Sequence, residues 1–396
     1  MNPIPYGRQH ISEKDIESVV EALKSGYLTQ GPHINAFESA FAEYVNAEYA
    51  VAVSNGTAAL HLSVLSLNLN SGDQVITTPI TFAASANCIR YSGGEVLFAD
   101  IDPETYLIDI DQVKSLFEKD IDKKIKGIIP VDFTGHSVDL EAFRILANEH
   151  DCWIIEDACH APGAFFTDSN GKNVKAGSCR FADLSIFSFH PVKHIAAGEG
   201  GMITTNDEKL YERLLSLRTH GIVKDNELYI NSLEFASGIA EQVGYPSWYM
   251  EMQDLGFNYR LTDFQAALGK SQLQRADAGV EKRKEIAVMY SKAFENKSFV
   301  KGQSGIVKGH AYHLYVLEVE DRLGLYNHLR EQSIYAQIHY IPCHLMPYYR
   351  AFGWEEGDMP NAEKYYRNCI SLPMFPTLKE DEQRFVIDTI INYYQS

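Results

Sequence analysis

Short apolar runs of strand length alternate with helix-like segments over the first two-thirds of this chain, and that alternation constrains its fold more than any other feature. Val51-Ala52-Val53 reads as a strand, and Ser54-Asn55-Gly56-Thr57 then turns into a helix carrying Ala58, Leu62 and Leu65. Gln74-Val75-Ile76-Thr77, Gly127-Ile128-Ile129-Pro130-Val131 and Trp153-Ile154-Ile155-Glu156 read as further buried strands, with helical stretches near 83–91 and 139–149 between them. The stretches 184–189 and 202–205 are two more. Ser12-Glu13-Lys14-Asp15 has the pattern of a capping box, followed by Ile16, Val19, Val20 and Leu23 at helical spacing. Strands alternating with helices predict an α/β domain: a mostly parallel sheet with helices on both faces.

The pattern changes after about residue 260. Helical periodicity runs through 262–275 and 279–295, strand candidates follow at 312–319 and 334–341, and Thr377-Leu378-Lys379-Glu380 opens a last helix. We expect a large α/β domain over 1–260 and a smaller α+β domain over 261–396, a division that suits 396 residues. Residues 225–250 are polar and aromatic without a clear period and read as a long loop.

The net charge of −18 disfavours nucleic acid as a partner, because an acidic surface repels phosphate. No run approaches the roughly 20 apolar residues of a membrane span. The N-terminal residues lack the apolar core of a signal peptide, and the six cysteines form no CxxC pair. These features together predict a cytoplasmic protein with reduced thiols.

Asp157 closes a strand, and ligands of open α/β sheets sit at the carboxyl ends of strands. Thirty-six residues on, Lys193 also lies just past a strand, between Pro191-Val192 and Ile195-Ala196-Ala197-Gly198. A lone loop lysine is ordinarily a solvated charge, but partial desolvation in this apolar setting would favour the neutral amine nucleophile. An amine to form an aldimine and a carboxylate to keep a pyridine nitrogen protonated are what pyridoxal 5′-phosphate (PLP) chemistry requires. Gly56 and Thr57 open a helix, whose N–H groups suit a phosphate; an ordinary Asn-Gly turn is the plainer reading. His190 and His194 are four apart, but Pro191 between them disfavours a helical ligand pair, and no metal site is expected. Gly198-Glu199-Gly200-Gly201 lacks the Gly-Lys-Ser/Thr of a P-loop and reads as a turn. Trp248-Tyr249 and Tyr348-Tyr349 are open to two readings, packing or stacking on a nucleobase or sugar.

The ordered series Gly26-Tyr27-Leu28-Thr29-Gln30-Gly31, Ser54-Asn55-Gly56-Thr57-Ala58-Ala59-Leu60, Thr81-Phe82-Ala83-Ala84-Ser85-Ala86-Asn87, Glu156-Asp157-Ala158-Cys159-His160-Ala161, Phe187-Ser188-Phe189-His190-Pro191-Val192-Lys193, Gly198-Glu199-Gly200-Gly201 and Arg218-Thr219-His220-Gly221 resembles the nucleotide-sugar aminotransferases of the DegT/DnrJ/EryC1/StrS type. Leu255-Gly256-Phe257-Asn258-Tyr259-Arg260-Leu261-Thr262-Asp263 and His339-Tyr340-Ile341-Pro342 continue it, so the resemblance covers nearly the whole chain. It implies the type I (aspartate aminotransferase) fold, with a mostly parallel seven-stranded sheet, and a homodimer whose active sites are shared between protomers. It also implies roles. Lys193 would hold the aldimine and carry the proton. Asp157 would pair with the pyridinium nitrogen. Gly56, Thr57 and Ser188 would hold the phosphate, with Asn258 reaching it from the other protomer. Phe82 would stack on the ring, and His160 would lie near its phenolic oxygen.

Candidates for contact with the nucleotide-sugar substrate are Tyr6, Arg8, Thr29, Arg218, Arg260 and Tyr340; for each arginine a surface ion pair is the alternative. Within the family, the Ser-Phe-His-Pro-Val-Lys and Gly-Glu-Gly-Gly spellings are most similar to enzymes that aminate C4 of a UDP-linked 4-keto-6-deoxy-hexose, as in pseudaminic acid synthesis. Ala196 departs from the Thr usual there. The implied amino donor is glutamate. The rival readings are another keto sugar, a PLP-dependent sugar dehydratase and a non-enzymatic PLP-binding regulator. Lys193 stands against the dehydratase, whose relatives carry histidine there.

Overall fold

A computed structural model of the chain describes residues 3–239 and 243–395. Seven strands form the central sheet: β1 (Tyr49–Val53), β2 (Gln74–Thr77), β3 (Glu95–Phe98), β4 (Ile125–Ile129), β5 (Trp153–Asp157), β6 (Leu184–Ser188) and β7 (Gly201–Thr205). Their spatial order is β1-β7-β6-β5-β4-β2-β3. Neighbours from β6 through β3 are parallel, and β7 is antiparallel to both β6 and β1. The link from β6 to β7, residues 189–200, contains no helix. Parallel crossovers are usually made by a helix, and without one the chain returns antiparallel. That link carries Lys193.

The helices around this sheet are α1 (Glu13–Lys24), α2 (Pro32–Val45), α3 (Gly56–Ser66), α4 (Ala84–Tyr91), α5 (Ile110–Lys119), α6 (Leu140–Glu149) and α7 (Glu208–Arg218). Val51, Ile76, Ile128, Ile154, Ile186 and Ile203, one from each of six strands, are wholly buried in the sheet. α3 is buried on nearly every side, as its lack of an apolar stripe requires. On the α2 side, Phe37, Phe41, Phe187 and Phe189 interlock; the rings of Phe41 and Phe187 meet edge to face at 4.8 Å.

The chain continues through α8 (Asp263–Leu273), α9 (Ala276–Phe294), β8 (Val300–Gln303), β9 (Tyr315–Val319), α10 (Arg322–Glu331), β10 (Cys369–Leu372) and α11 (Glu380–Gln395). β8, β9 and β10 make an antiparallel sheet, and a second core of Tyr290, Leu317, Leu329, Ile370 and Val386 lies against it. Ile4 belongs to this second core, because Ile4–Pro5 pairs with Ile334–Tyr335. A division after residue 260 would put α8 in the second body. Its packing against α1 and α2 assigns it to the first, where Ala266 and Leu273 join the aromatic cluster.

One strand was missed, and one further expectation needs correction. β3 was not foreseen. The expected strand over 334–341 is only two residues of pairing, after which the chain turns toward the cleft. The 225–250 stretch, of which 240–242 lie outside the described residues, is a long connection that carries short turns, Asn226–Leu228 and Leu233–Ser237, and Tyr229, Tyr245 and Tyr249 pack on one another. Tyr349 is buried beside Phe98, so it packs rather than stacks on a ligand, whereas Tyr348 is exposed.

Candidate active site

A cleft of about 610 Å³ opens at the carboxyl ends of β5 and β6, between the first body and the turn at His339 and Tyr340. β5 delivers Asp157 to its floor, β6 delivers Ser188, and the start of α3 delivers Gly56 and Thr57. Phe82 and Ser85 come from the entry to α4, and Tyr6 from the N-terminal segment.

The α3 N-terminus is prepared for an anion. Asn55 caps it in extended conformation, its side-chain oxygen accepting Ala58 N–H at 2.8 Å. Gly56 and Thr57 are first-turn residues whose N–H groups have no intrahelical acceptor. A Cβ on Gly56 would come within 3.0 Å of Ser188 Cβ, so glycine keeps this corner open.

Asp157 is buried and oriented by two donors. Ser85 Oγ donates to Oδ2 at 2.6 Å, and Cys159 N–H donates to Oδ1 at 3.2 Å. Lys193 sits in a turn closed by its N–H to His190 C=O at 2.9 Å. Burial lowers its pKa; the Cys159 and Asp157 side chains oppose this, and the Arg283 guanidinium adds to it. Arg283 is itself fully buried and donates to the carbonyls of Tyr312, His313 and Met374 instead of pairing with a carboxylate. Burial, and then the Lys193 charge, hold His160 far below the usual histidine range; the same causes bring His339 to about 3. The imidazole of His160 is therefore neutral, with Nε2 3.4 Å from Tyr340 Oη and Nδ1 buried without a partner.

Lys193, Asp157, Gly56, Thr57, Ser188, Phe82, His160, Tyr6 and Tyr340 all line this one cleft. Other candidates do not. Asn258 pairs with Thr219 along the outer edge of β1, and Thr29 bridges to Thr262. Arg8 stacks over Phe375, 5.1 Å from the ring centre. Arg260 runs beside Val53. Arg218 takes the ion-pair alternative. The half-buried guanidinium donates to Glu38 at 2.6 Å and to Ala52 C=O at 2.9 Å, because buried Glu38 requires a counter-charge. Sequence reasoning missed Ser85, His339, Tyr259 and Arg283. Ser85 stood inside a quoted motif without a role, and only the fold brings Arg283 near Lys193.

These parts fit PLP: an anion cradle, a buried carboxylate for the ring nitrogen and a desolvated amine in one cleft. Fold and cleft define the class, a PLP-dependent aminotransferase of type I fold. The model of the DegT/DnrJ/EryC1/StrS aminotransferase family matches residues 9–391, and the chain belongs to that family. It is 37% identical to the spore coat polysaccharide biosynthesis protein SpsC of Bacillus subtilis, over 98% of this chain and 96% of the relative. It is 34% identical to the UDP-4-amino-4,6-dideoxy-N-acetyl-beta-L-altrosamine transaminase of Campylobacter jejuni, over 98% and 97%. The solved structure of Helicobacter pylori PseC, an aminotransferase involved in pseudaminic acid biosynthesis, superposes with a TM-score of 0.86 at 28% identity, covering 100% of both chains.

Proposed function

We propose that this enzyme transfers an amino group from glutamate to C4 of a UDP-linked 4-keto-6-deoxy-hexose, giving a 4-amino sugar of the kind used in pseudaminic acid synthesis. The observation that carries the reaction class is the meeting of Lys193, Asp157 and the α3 N-terminus in one cleft. The altrosamine transaminase and PseC, each aligned with nearly the whole chain, support the substrate.

PLP, when bound, supplies a pyridinium ring that withdraws electrons from the carbon losing its proton. Asp157 keeps the ring nitrogen protonated; Ser85 and Cys159 N–H hold its carboxylate in place. Lys193 anchors the cofactor. Once released, its Nζ would take the proton from the donor's α-carbon and return it two bonds away, across the nitrogen, a task that suits an amine with a lowered pKa. Gly56, Thr57 and Ser188 hold the phosphate. Phe82 would cover the ring, and neutral His160 would stand beside its phenolic oxygen. Tyr6 and Tyr340 face the sugar, while Arg8, Thr29 and Arg260 serve the diphosphate from outside this cleft or from a second protomer.

We further infer a homodimer that shares its sites, with Asn258 of one protomer reaching the phosphate of the other. In support, Ile16, Val20 and Leu23 of α1, with Leu28, Met252 and Leu255, leave large apolar side chains exposed. The six free thiols, buried or half-buried, suit the cytoplasm.

The deciding experiment incubates the PLP enzyme and glutamate with UDP-, dTDP- and GDP-linked keto sugars and identifies the products by mass spectrometry and NMR. Amination at C4 of the UDP 4-keto sugar is expected. Turnover confined to dTDP or GDP sugars, or amination at C3, overturns the substrate.

A further inference from the structure

Behind Asp157 lie two more carboxyl groups. Asp132 follows β4 and Glu156 precedes Asp157 on β5; neither has appreciable exposure to solvent. The bridge between Val131 and Asp157 sets the end of β4 beside the end of β5, and the Glu156 charge bears directly on Asp132. Each spends one oxygen elsewhere. Asp132 Oδ1 accepts Val138 N–H at 2.8 Å. Glu156 Oε2 accepts Ser185 O–H at 2.5 Å and Gly177 N–H at 2.9 Å. The remaining oxygens, Asp132 Oδ2 and Glu156 Oε1, are buried and find no donor. Were both groups ionised, two neighbouring buried carboxylates would each hold an oxygen without a donor, an arrangement that a carboxyl pair escapes by keeping a proton.

We propose that the pair holds one proton, carried on Asp132 Oδ2 and donated to Glu156 Oε1, and that this bond positions Asp157. The proton belongs on Asp132 because Glu156 receives two donors and Asp132 only one; donors stabilise the ionised form. Burial and the neighbouring Glu156 push Asp132 upward in the same sense. The bond ties the end of β4 to β5 at the residue before Asp157. The backbone completes the clamp, with Asp132 N–H donating to Asp157 C=O at 3.0 Å and Asp157 N–H to Pro130 C=O at 2.9 Å. Electrostatics gain as well. Of three adjacent carboxyls one is neutral, which spares the Asp157 side chain a second like charge at close range. The other titratable groups facing the pair are Asp157, Cys159 and Cys179, and burial keeps both thiols protonated.

The positioning role rests on the proposed part of Asp157; the shared proton does not, so the two can fail separately. Infrared spectra of wild-type holoenzyme labelled with carbon-13 in the aspartate carboxyls test the proton without any variant. A label-sensitive stretch of a neutral carboxylic acid at neutral pH is expected, and its absence overturns the proposal. Asp132→Asn, which keeps a donor toward Glu156, should lose that band. An acid whose folded pKa is raised stabilises the fold below its ordinary value of 3.8 and loses that contribution as pH rises through the folded pKa. The melting temperature of Asp132→Asn relative to wild type should therefore climb with pH; parallel curves overturn the shared proton. For positioning, Asp132→Ala should shift the pH at which the absorbance of bound cofactor changes, and Asp132→Asn should restore it. An Asn variant as perturbed as the Ala variant overturns the positioning role.

Discussion

Lys193 is the amine that sits in the cleft, and removing it separates binding from chemistry. Lys193→Ala should abolish the visible absorbance of lysine-linked cofactor and all turnover; measurable transamination by this variant would contradict its role. Asp157→Asn should retain PLP but lose most of the rate, on the order of a hundredfold or more, since a neutral amide cannot hold the ring nitrogen protonated. Single-turnover kinetics with glutamate would show it. Gly56→Ala tests the cradle, where the added methyl presses on Ser188 Cβ at 3.0 Å. PLP affinity should fall about tenfold, or ~1.4 kcal/mol, with the melting temperature of the cofactor-free protein nearly unchanged. Of the residues read from the sequence, Asp157 and Ser188 end strands, Gly56 and Thr57 start a helix and Lys193 lies in the link just past a strand, the ligand side of an α/β sheet. Asp132 lies just past a strand in the same way and was overlooked, because the apolar run was read as ending at Val131. Arg283 could not have been found this way. It lies mid-helix on α9, and its three carbonyl partners come from distant segments.

Strands with partners on both sides were legible because they are short and mostly apolar, with buried Ile128 and Ile129 in Ile125–Ile129 and Ile186 and Phe187 in Leu184–Ser188. β3 escaped because it is an edge strand, paired only with β2, and begins at exposed Glu95 just after two glycines. The 334–341 stretch misled for the opposite reason: Ile338 and Tyr340 are apolar to pack against the main core at the cleft, not to fill a sheet. The capping box at α1 was legible, but not its second use. Ser12 N–H donates to Asp15 Oδ2 at 2.7 Å, and the same carboxylate receives Ser271 and Gln272 of α8 and pairs with Arg275 at 2.5 Å. Burial pushes the Asp15 pKa up, but the hydrogen bonds and the Arg275 charge outweigh it and hold it below the ordinary range. A depressed carboxyl stabilises the fold above its unfolded value, near 3.8, and loses this as pH falls through the folded value. Asp15→Ala should cost on the order of 3 kcal/mol at neutral pH, since it strands buried donors and unties α1 from α8. Denaturant titration would measure it, and the deficit should shrink in acid.

At the scale of the whole molecule the remaining question is why Asn258, which the family resemblance places at a phosphate, lies away from the cleft of its own chain. Residues 257–260 run along β1, with Ser54 N–H donating to Tyr259 C=O at 2.7 Å and Arg260 pairing with Val53. Only Tyr259 of this stretch faces the cleft. A composite site in a homodimer accounts for that placement, and the exposed apolar residues of α1 and Met252–Leu255 give such a dimer a surface to bury. Asn258→Ala and Lys193→Ala would then damage different halves of one site, and each homodimer should be poor. Mixing them with subunit exchange gives about half mixed dimers by random two-fold pairing. Each mixed dimer holds one site with both wild-type groups, so activity should recover to about a quarter of wild type. If Asn258 is only a turn residue, Asn258→Ala stays active and mixing yields no more than the sum of the parents. A fully active monomer in size-exclusion chromatography would exclude the shared site, because no second chain could then supply Asn258.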